Sequence, residues 1–330
     1  MARGELLREL FEGYSQHDDH AFRTAALAII AEEHQKHNNA LAHELLTMLE
    51  TSESQKSAQF EKMPLPHDKE RQAPLVEPRM PRKRISDIVL GESGYAQLQR
   101  ILEEFRKAEL LRTHNLRPKN KLLFCGPPGC GKTLCAEIIA SELKLPLLYT
   151  RFDTIVSSYL GETSANIRRV FDFSKNKTWV ILLDEFDAIG KSRDDSSEHG
   201  ELRRVVNSFL QLLDSYSGDS IIIAATNHER LLDDALWRRF DEIVMFARPS
   251  SIDIIKLLEL KLKNFPTSGL NFPRLAPRLK GLSHSEIEWI CLDAVKSAIL
   301  QDRDAVGPDL FEASVSRQKS RTAIRKNTKK

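Results

Sequence analysis

The chain opens with three short stretches in which apolar residues recur at helical spacing. Leu6, Leu7, Leu10, Phe11 and Tyr14 mark the first. Phe22, Ala26, Ile29 and Ile30 mark a second, with Asp18 placed to cap it. Leu41, Leu45, Met48 and Leu49 share one face of a third, with Asn39 at its start. Residues 1–51 therefore predict a helical module too small to bury much core alone. Pro64, Pro66, Pro74, Pro78 and Pro81 then interrupt the pattern, with Ser, Gln, Glu and Lys between them. That predicts a linker over 52–83.

From about Ile85, helical stretches alternate with continuous apolar runs at Leu122–Cys125, Leu147–Thr150, Trp179–Leu183 and Ile221–Ala225. Continuous runs belong to strands buried on both faces. Strands alternating with helices predict an α/β fold with a doubly wound, mostly parallel sheet over 84–248. After Arg248-Pro249-Ser250 the strand pattern stops. Ile252–Leu262 and Ser285–Leu300 read as helices of a C-terminal helical subdomain over 249–312. Residues 313–330 carry Arg317, Lys319, Arg321, Arg325, Lys326, Lys329 and Lys330 and no acid, which predicts a disordered, solvated basic tail.

Composition narrows the class. Of 330 residues, 41% are hydrophobic and 29% charged, as in soluble globular proteins. Lys and Arg number 49 against 47 acids, so net charge gives no case for coating nucleic acid. No apolar run approaches the roughly 18 residues of a membrane span. The start, Met-Ala-Arg-Gly-Glu, lacks the apolar core of a signal peptide. Cys125, Cys130 and Cys135 sit close together, with Cys291 far away, which fits a reducing cytoplasm better than a disulfide scaffold.

The chemistry starts at Gly126-Pro127-Pro128-Gly129-Cys130-Gly131-Lys132-Thr133. This matches G-x-x-x-x-G-K-[ST], and it stands between an apolar run and a helix beginning near Leu134. The glycines let the backbone turn tightly and approach phosphate, while N–H groups and the helix N-terminus cradle it. Lys132 is placed to neutralise β/γ charge and the Thr133 hydroxyl to ligate Mg²⁺. ATP and Mg²⁺ are thus the expected cofactors. Cys130 admits two readings: a small residue that fits, or a thiol acidified by its electropositive surroundings, whose modification blocks ATP binding. About fifty residues on, the strand ending in Asp184-Glu185 predicts a Mg²⁺ carboxylate, Asp184, and a general base for water, Glu185. The strand before Thr226-Asn227 offers an amide to orient the lytic water. Arg238 and Arg239 read either as a surface ion-pair site or as fingers for a neighbouring subunit's γ-phosphate.

In this order the motifs Gly126–Thr133, Ile181–Asp187, Ala225–Asn227 and Leu232–Asp241 resemble the AAA ATPases, in particular the clade that remodels proteins. The resemblance covers roughly residues 85–300. It implies a P-loop NTPase domain with a C-terminal helical lid, assembled as a homo-oligomeric ring, usually a hexamer, with ATP between subunits. It implies that Asn227 is a phosphate sensor and that Arg238 and Arg239 act in trans. Asp87, Ile88 and Val89, with the lid segment Gly281–Ile287, would form the adenine pocket. His284 stands where the clade often has Gly, so a larger, titratable side chain is expected near the nucleotide. Tyr159-Leu160-Gly161 resembles the first pore loop, which grips an extended polypeptide, and a second such loop is expected near 196–204. The resemblance further implies a protein substrate or adaptor held by the N-terminal helices, and extends to a partner protease. A nucleic-acid-associated ATPase is the rival, supported by the basic tail. An ATP-dependent assembly switch is a third reading, with Glu185, Asn227 and both arginines arguing against it.

Overall fold

The computed structural model describes residues 3–15, 19–36, 38–48, 63–69, 72–151, 155, 160–186, 199–228 and 237–327. At the N-terminus the helices Arg3–Ser15 and Asp19–Gln35 pack together, and a third spans 39–48. Among the described residues, Leu6, Ala25, Ala26, Ile30 and Ala42 are their buried apolar side chains. Asp18 lies outside the described residues.

A six-stranded sheet follows. Its strands are β1 (Glu77–Arg79), β2 (Lys121–Cys125), β3 (Leu147–Arg151), β4 (Val180–Asp184), β5 (Ile221–Thr226) and β6 (Glu242–Met245). They lie in the order β1-β3-β4-β5-β2-β6, and all neighbours are parallel except β1 with β3. Alternate residues of each buried strand feed opposite faces. Leu123, Leu148, Ile181 and Ile222 meet Ile167, Phe171 and Phe209 on one side. Leu122, Phe124, Leu182 and Ile223 meet Leu98, Ile101, Ile138 and Ile139 on the other. This double burial is why the strands read as unbroken apolar runs.

Two expectations need correction. Residues 63–69 and 72–79 are not free linker. Leu75 and Val76 are buried at 3% exposure, Met63 and Leu65 pack on the core, and Thr150 Oγ1 donates to the Leu75 carbonyl at 2.8 Å. Pro78 lies in β1, opposite Leu148. An edge strand needs no N–H on its open side, so proline is tolerated there. The basic segment is also helical as far as Asn327: the helix Pro308–Asn327 packs on the helix His284–Leu300. Leu310, Phe311, Ser314, Val315 and Gln318 are buried along one side of it. Arg317 pairs with Asp293 at 2.6 Å, and Arg321 lies 4.2 Å over the Trp289 ring. Of the tail's cations, Arg317 and Arg321 are thus engaged in packing, while Lys319 is exposed.

The helices Ser251–Leu262, Phe272–Leu279, His284–Leu300 and Pro308–Asn327 form the lid around their own core of Ile254, Leu258, Ile287, Ile290, Cys291 and Phe311. The segment 85–90 ties this core to the sheet. Ile88 packs in a core beside the sheet and Val89 packs in the lid core. Among the described residues no helix is long and apolar enough to cross a membrane.

Candidate nucleotide-hydrolysis site

The site lies at the C-terminal ends of β2, β5 and β4, and strand order explains its composition. Because β5 runs between β2 and β4, the residue just past its end, Asn227, falls between the loop after β2 and the carboxylates after β4. The loop after β2 uses its glycines. Gly126 has φ 142°, and a Cβ there would stand 2.0 Å from the Phe246 carbonyl oxygen. Gly131 has φ 97° and starts the helix Lys132–Glu142 in the left-handed region. Side chains other than glycine rarely adopt these angles.

Lys132 is buried, 7% exposed, yet its ammonium is fully engaged. It donates to the carbonyls of Gly126 at 2.7 Å and Pro127 at 3.1 Å, and to Asn227 Oδ1 at 2.8 Å. A buried charge of this kind persists only with such partners. The next residue, Thr133, donates from Oγ1 to Asp184 Oδ2 at 2.9 Å. The other Asp184 oxygen accepts from the Glu185 N–H at 2.9 Å. Glu185 adopts φ 56°, a left-handed value uncommon outside glycine, and its turn directs the carboxylate toward the end of β3. There Arg151, in register with Asp184, meets Glu185 Oε2 at 3.1 Å. Leu134 is partly buried in the first turn of the helix, against the core below the loop.

The lid reaches the same loop. Ser285 donates from N (3.0 Å) and Oγ (3.2 Å) to the Gly129 carbonyl. Arg248 donates to the Gly281 carbonyl. Glu286 closes the turn by accepting from Ser283 N at 2.8 Å. His284 sits between sheet and lid, and burial holds its ring below the ordinary imidazole pKa against the opposing pull of Asp253 and the Val89 backbone.

Residues 122–248 match the family model described as "ATPase family associated with various cellular activities (AAA)". An uncharacterized AAA family ATPase, y4kL, of Sinorhizobium fredii is 44% identical over 324 residues, 98% of this chain and 97% of that protein. The chain belongs to the AAA ATPase family. It is also 32% identical to a proteasome-activating nucleotidase of Methanosphaerula palustris, over 72% of this chain and 60% of that protein. A 26S proteasome regulatory subunit 6A of Encephalitozoon cuniculi is 31% identical over 68% of this chain and 61% of that protein. This AAA domain binds nucleotide and hydrolyses ATP.

Within the AAA domain the structure brings Gly126, Gly129, Gly131, Lys132, Thr133, Asp184, Glu185 and Asn227 together. The Asp87 carboxylate accepts from the Arg84 N–H at 2.9 Å, so it is engaged within its own turn. Cys130 is 1% exposed, and burial pushes its thiol up despite the nearby Lys132 and Arg248 charges. The acidified-thiol reading is therefore corrected: Cys130 is a small buried side chain near the Pro128 carbonyl (4.0 Å). Arg238 and Arg239 stand at the far end of the sheet, before β6. Tyr159 and residues 196–198 lie outside the described residues, and Leu160 and Gly161 open the helix Leu160–Ser174. Sequence reasoning missed Arg151, and it named Ser285 only within the segment Gly281–Ile287, without its contact to the loop. Each becomes visible only once it is known which strand or subdomain lies beside the loop.

Proposed function

We propose that this ATPase is a protein-remodelling motor: a homo-oligomeric ring that hydrolyses ATP between subunits and pulls a polypeptide segment through its channel. The observation that carries this is the hydrolytic set itself. A lysine, a threonine–aspartate pair, a glutamate and an asparagine converge at three neighbouring strand ends. A pure assembly switch has no need of a base and a sensor beside the phosphate site. Similarity to proteasome-activating nucleotidases supports a polypeptide substrate and a partner protease, and the four buried free thiols support a cytoplasmic setting.

In this reading the N–H groups of 126–133 hold the β- and γ-phosphates, and Lys132 exchanges Asn227 for phosphate oxygen. Thr133 Oγ1 and Asp184 Oδ2, hard oxygens 2.9 Å apart, suit Mg²⁺, which would neutralise charge between the β- and γ-phosphates. Glu185 takes a proton from the attacking water, and Asn227 orients that water. The turn that carries Arg238 and Arg239 presents a guanidinium to the neighbouring subunit. Ile88, Val89 and His284 line the base at the junction of sheet and lid. Tyr159 with Leu160 and Gly161 grips the substrate, which the N-terminal helices select.

The test is a pull-down from the host with Glu185→Gln and ATP, against the same variant carrying Tyr159→Ala. Proteins retained only with Tyr159 present support the motor. Retention independent of Tyr159, or nucleic acid alone, refutes it.

A further inference from the structure

The two adjacent arginines occupy different environments. Trp237 packs against the core on one side of them, and Phe240, 7% exposed, is buried on the other. Asp241 Oδ2 then accepts from the N–H groups of Asn120 at 3.0 Å and Lys121 at 2.9 Å, pinning the turn to the start of β2. Between these anchors, Arg239 Nε donates to Asp214 Oδ2 at 2.8 Å. Arg238 is exposed and makes no hydrogen bond or ion pair among the described residues.

The turn also lies at the wrong end of the sheet for its own nucleotide. β2 and β6 are parallel, and the phosphate loop starts only after β2 has run its five residues from Lys121 to Cys125. At about 3.3 Å per residue that is roughly 16 Å, longer than an arginine side chain. Either arginine therefore meets a γ-phosphate only on another copy.

We infer that the pair divides its work. Asp214 is a positioning residue that holds Arg239 within its own subunit, and Arg238 is the side chain presented to the neighbouring copy's γ-phosphate. The ion pair fixes the turn against the C-terminal end of the helix His199–Ser215, so the free arginine leaves from a braced backbone. This rests on the ring reading above.

The experiment measures ATP turnover per chain, at several protein concentrations, for the full chain and for Arg238→Ala, Arg239→Ala, Asp214→Asn and Arg238→Ala/Asp214→Asn. Affinity for a fluorescent ATP analogue is measured in parallel. Arg238→Ala is expected to lose at least about a hundredfold in turnover, within the range of arginine fingers, with analogue affinity unchanged. Asp214→Asn and Arg239→Ala are expected to lose about two- to fivefold, the scale of an exposed ion pair, again at unchanged affinity. The double variant is expected to match Arg238→Ala, because a missing finger cannot be mispositioned. A general loss of folding would move affinity as well. Asp214→Asn at or above wild-type turnover overturns the positioning role, since it would mean that Asp214 sequesters the working finger. Arg239→Ala falling as far as Arg238→Ala overturns the division of work. Turnover per chain that is independent of concentration and unaffected by either arginine refutes the ring reading itself.

Discussion

Replacing Asn227 by Asp tests whether Lys132 must leave its resting partner for ATP to bind. The amide oxygen lies 2.8 Å from the ammonium, and Lys132 is almost wholly buried. A carboxylate oxygen at that distance turns a neutral acceptor into an ion pair. At an effective dielectric of about 20, Coulomb's law puts such a pair near 6 kcal/mol before desolvation. The new carboxylate gives up hydration worth several kcal/mol. Hydrogen bonds to charged groups exceed neutral ones by only about 1–2 kcal/mol. The net gain for the resting state is therefore about 1–2 kcal/mol, which predicts ATP affinity five- to thirtyfold weaker. Repulsion between the carboxylate and the γ-phosphate acts in the same direction. The assay is calorimetric titration with ATP on a Glu185→Gln background, with Asn227→Ala beside it. Asn227→Ala removes one acceptor and leaves the Gly126 and Pro127 carbonyls without adding charge, so it should bind ATP at least as tightly as the parent. Equal affinity for the Asp and parent proteins would show that Lys132 does not exchange Asn227 for phosphate.

Gly126→Ala should lower stability by at least about 2–3 kcal/mol and abolish ATP binding, because its Cβ must displace the Phe246 carbonyl, 2.0 Å away. Urea unfolding and ATP titration check this, and an unchanged midpoint would contradict it. Phe311→Ala should cost about 3–5 kcal/mol in the same unfolding assay, since that ring is fully buried in the lid core; an unchanged midpoint would refute that packing. His284 predicts a pH dependence. Its folded pKa is lowered from 6.5, chiefly by burial, so as pH falls through about 6.5 the unfolded chain takes the proton first and the native state loses stability. Thermal unfolding at pH 7.5 and 5.5 should show a smaller acid-induced drop for His284→Asn than for wild type, and equal drops would refute the assignment.

Much of the fold was legible because burial writes itself into sequence. The runs at Leu122, Trp179 and Ile221 are apolar at every position, and that at Leu147 at all but Thr150, since both sheet faces are covered. The strands β2, β3, β4 and β5 lie within a residue of those runs at each end. The phosphate loop was equally plain, because positive φ at Gly126, Gly129 and Gly131 leaves little choice but glycine. The prolines misled where their physics has an exception: at a sheet edge, Pro78 loses no ladder bond that mattered. The tail misled because its charges outweighed a real signal, the continuation of the buried face from Leu310 and Phe311 in the lid into Ser314, Val315 and Gln318.

The sequence by itself determined which residues can do phosphate chemistry: Lys132, Thr133, Asp184, Glu185 and Asn227 are each marked by a local motif. Only the tertiary structure decided what they meet. Strand order sets Asn227 against Lys132 and Arg151 beside Glu185, lid docking brings Ser285 to Gly129, and packing of the turn at 237–241 joins Arg239 to Asp214. Local motifs follow from backbone conformation and periodicity within a few residues. Partnerships across 25 to 156 positions follow from how strands order and subdomains close, and no short stretch of chain carries that information.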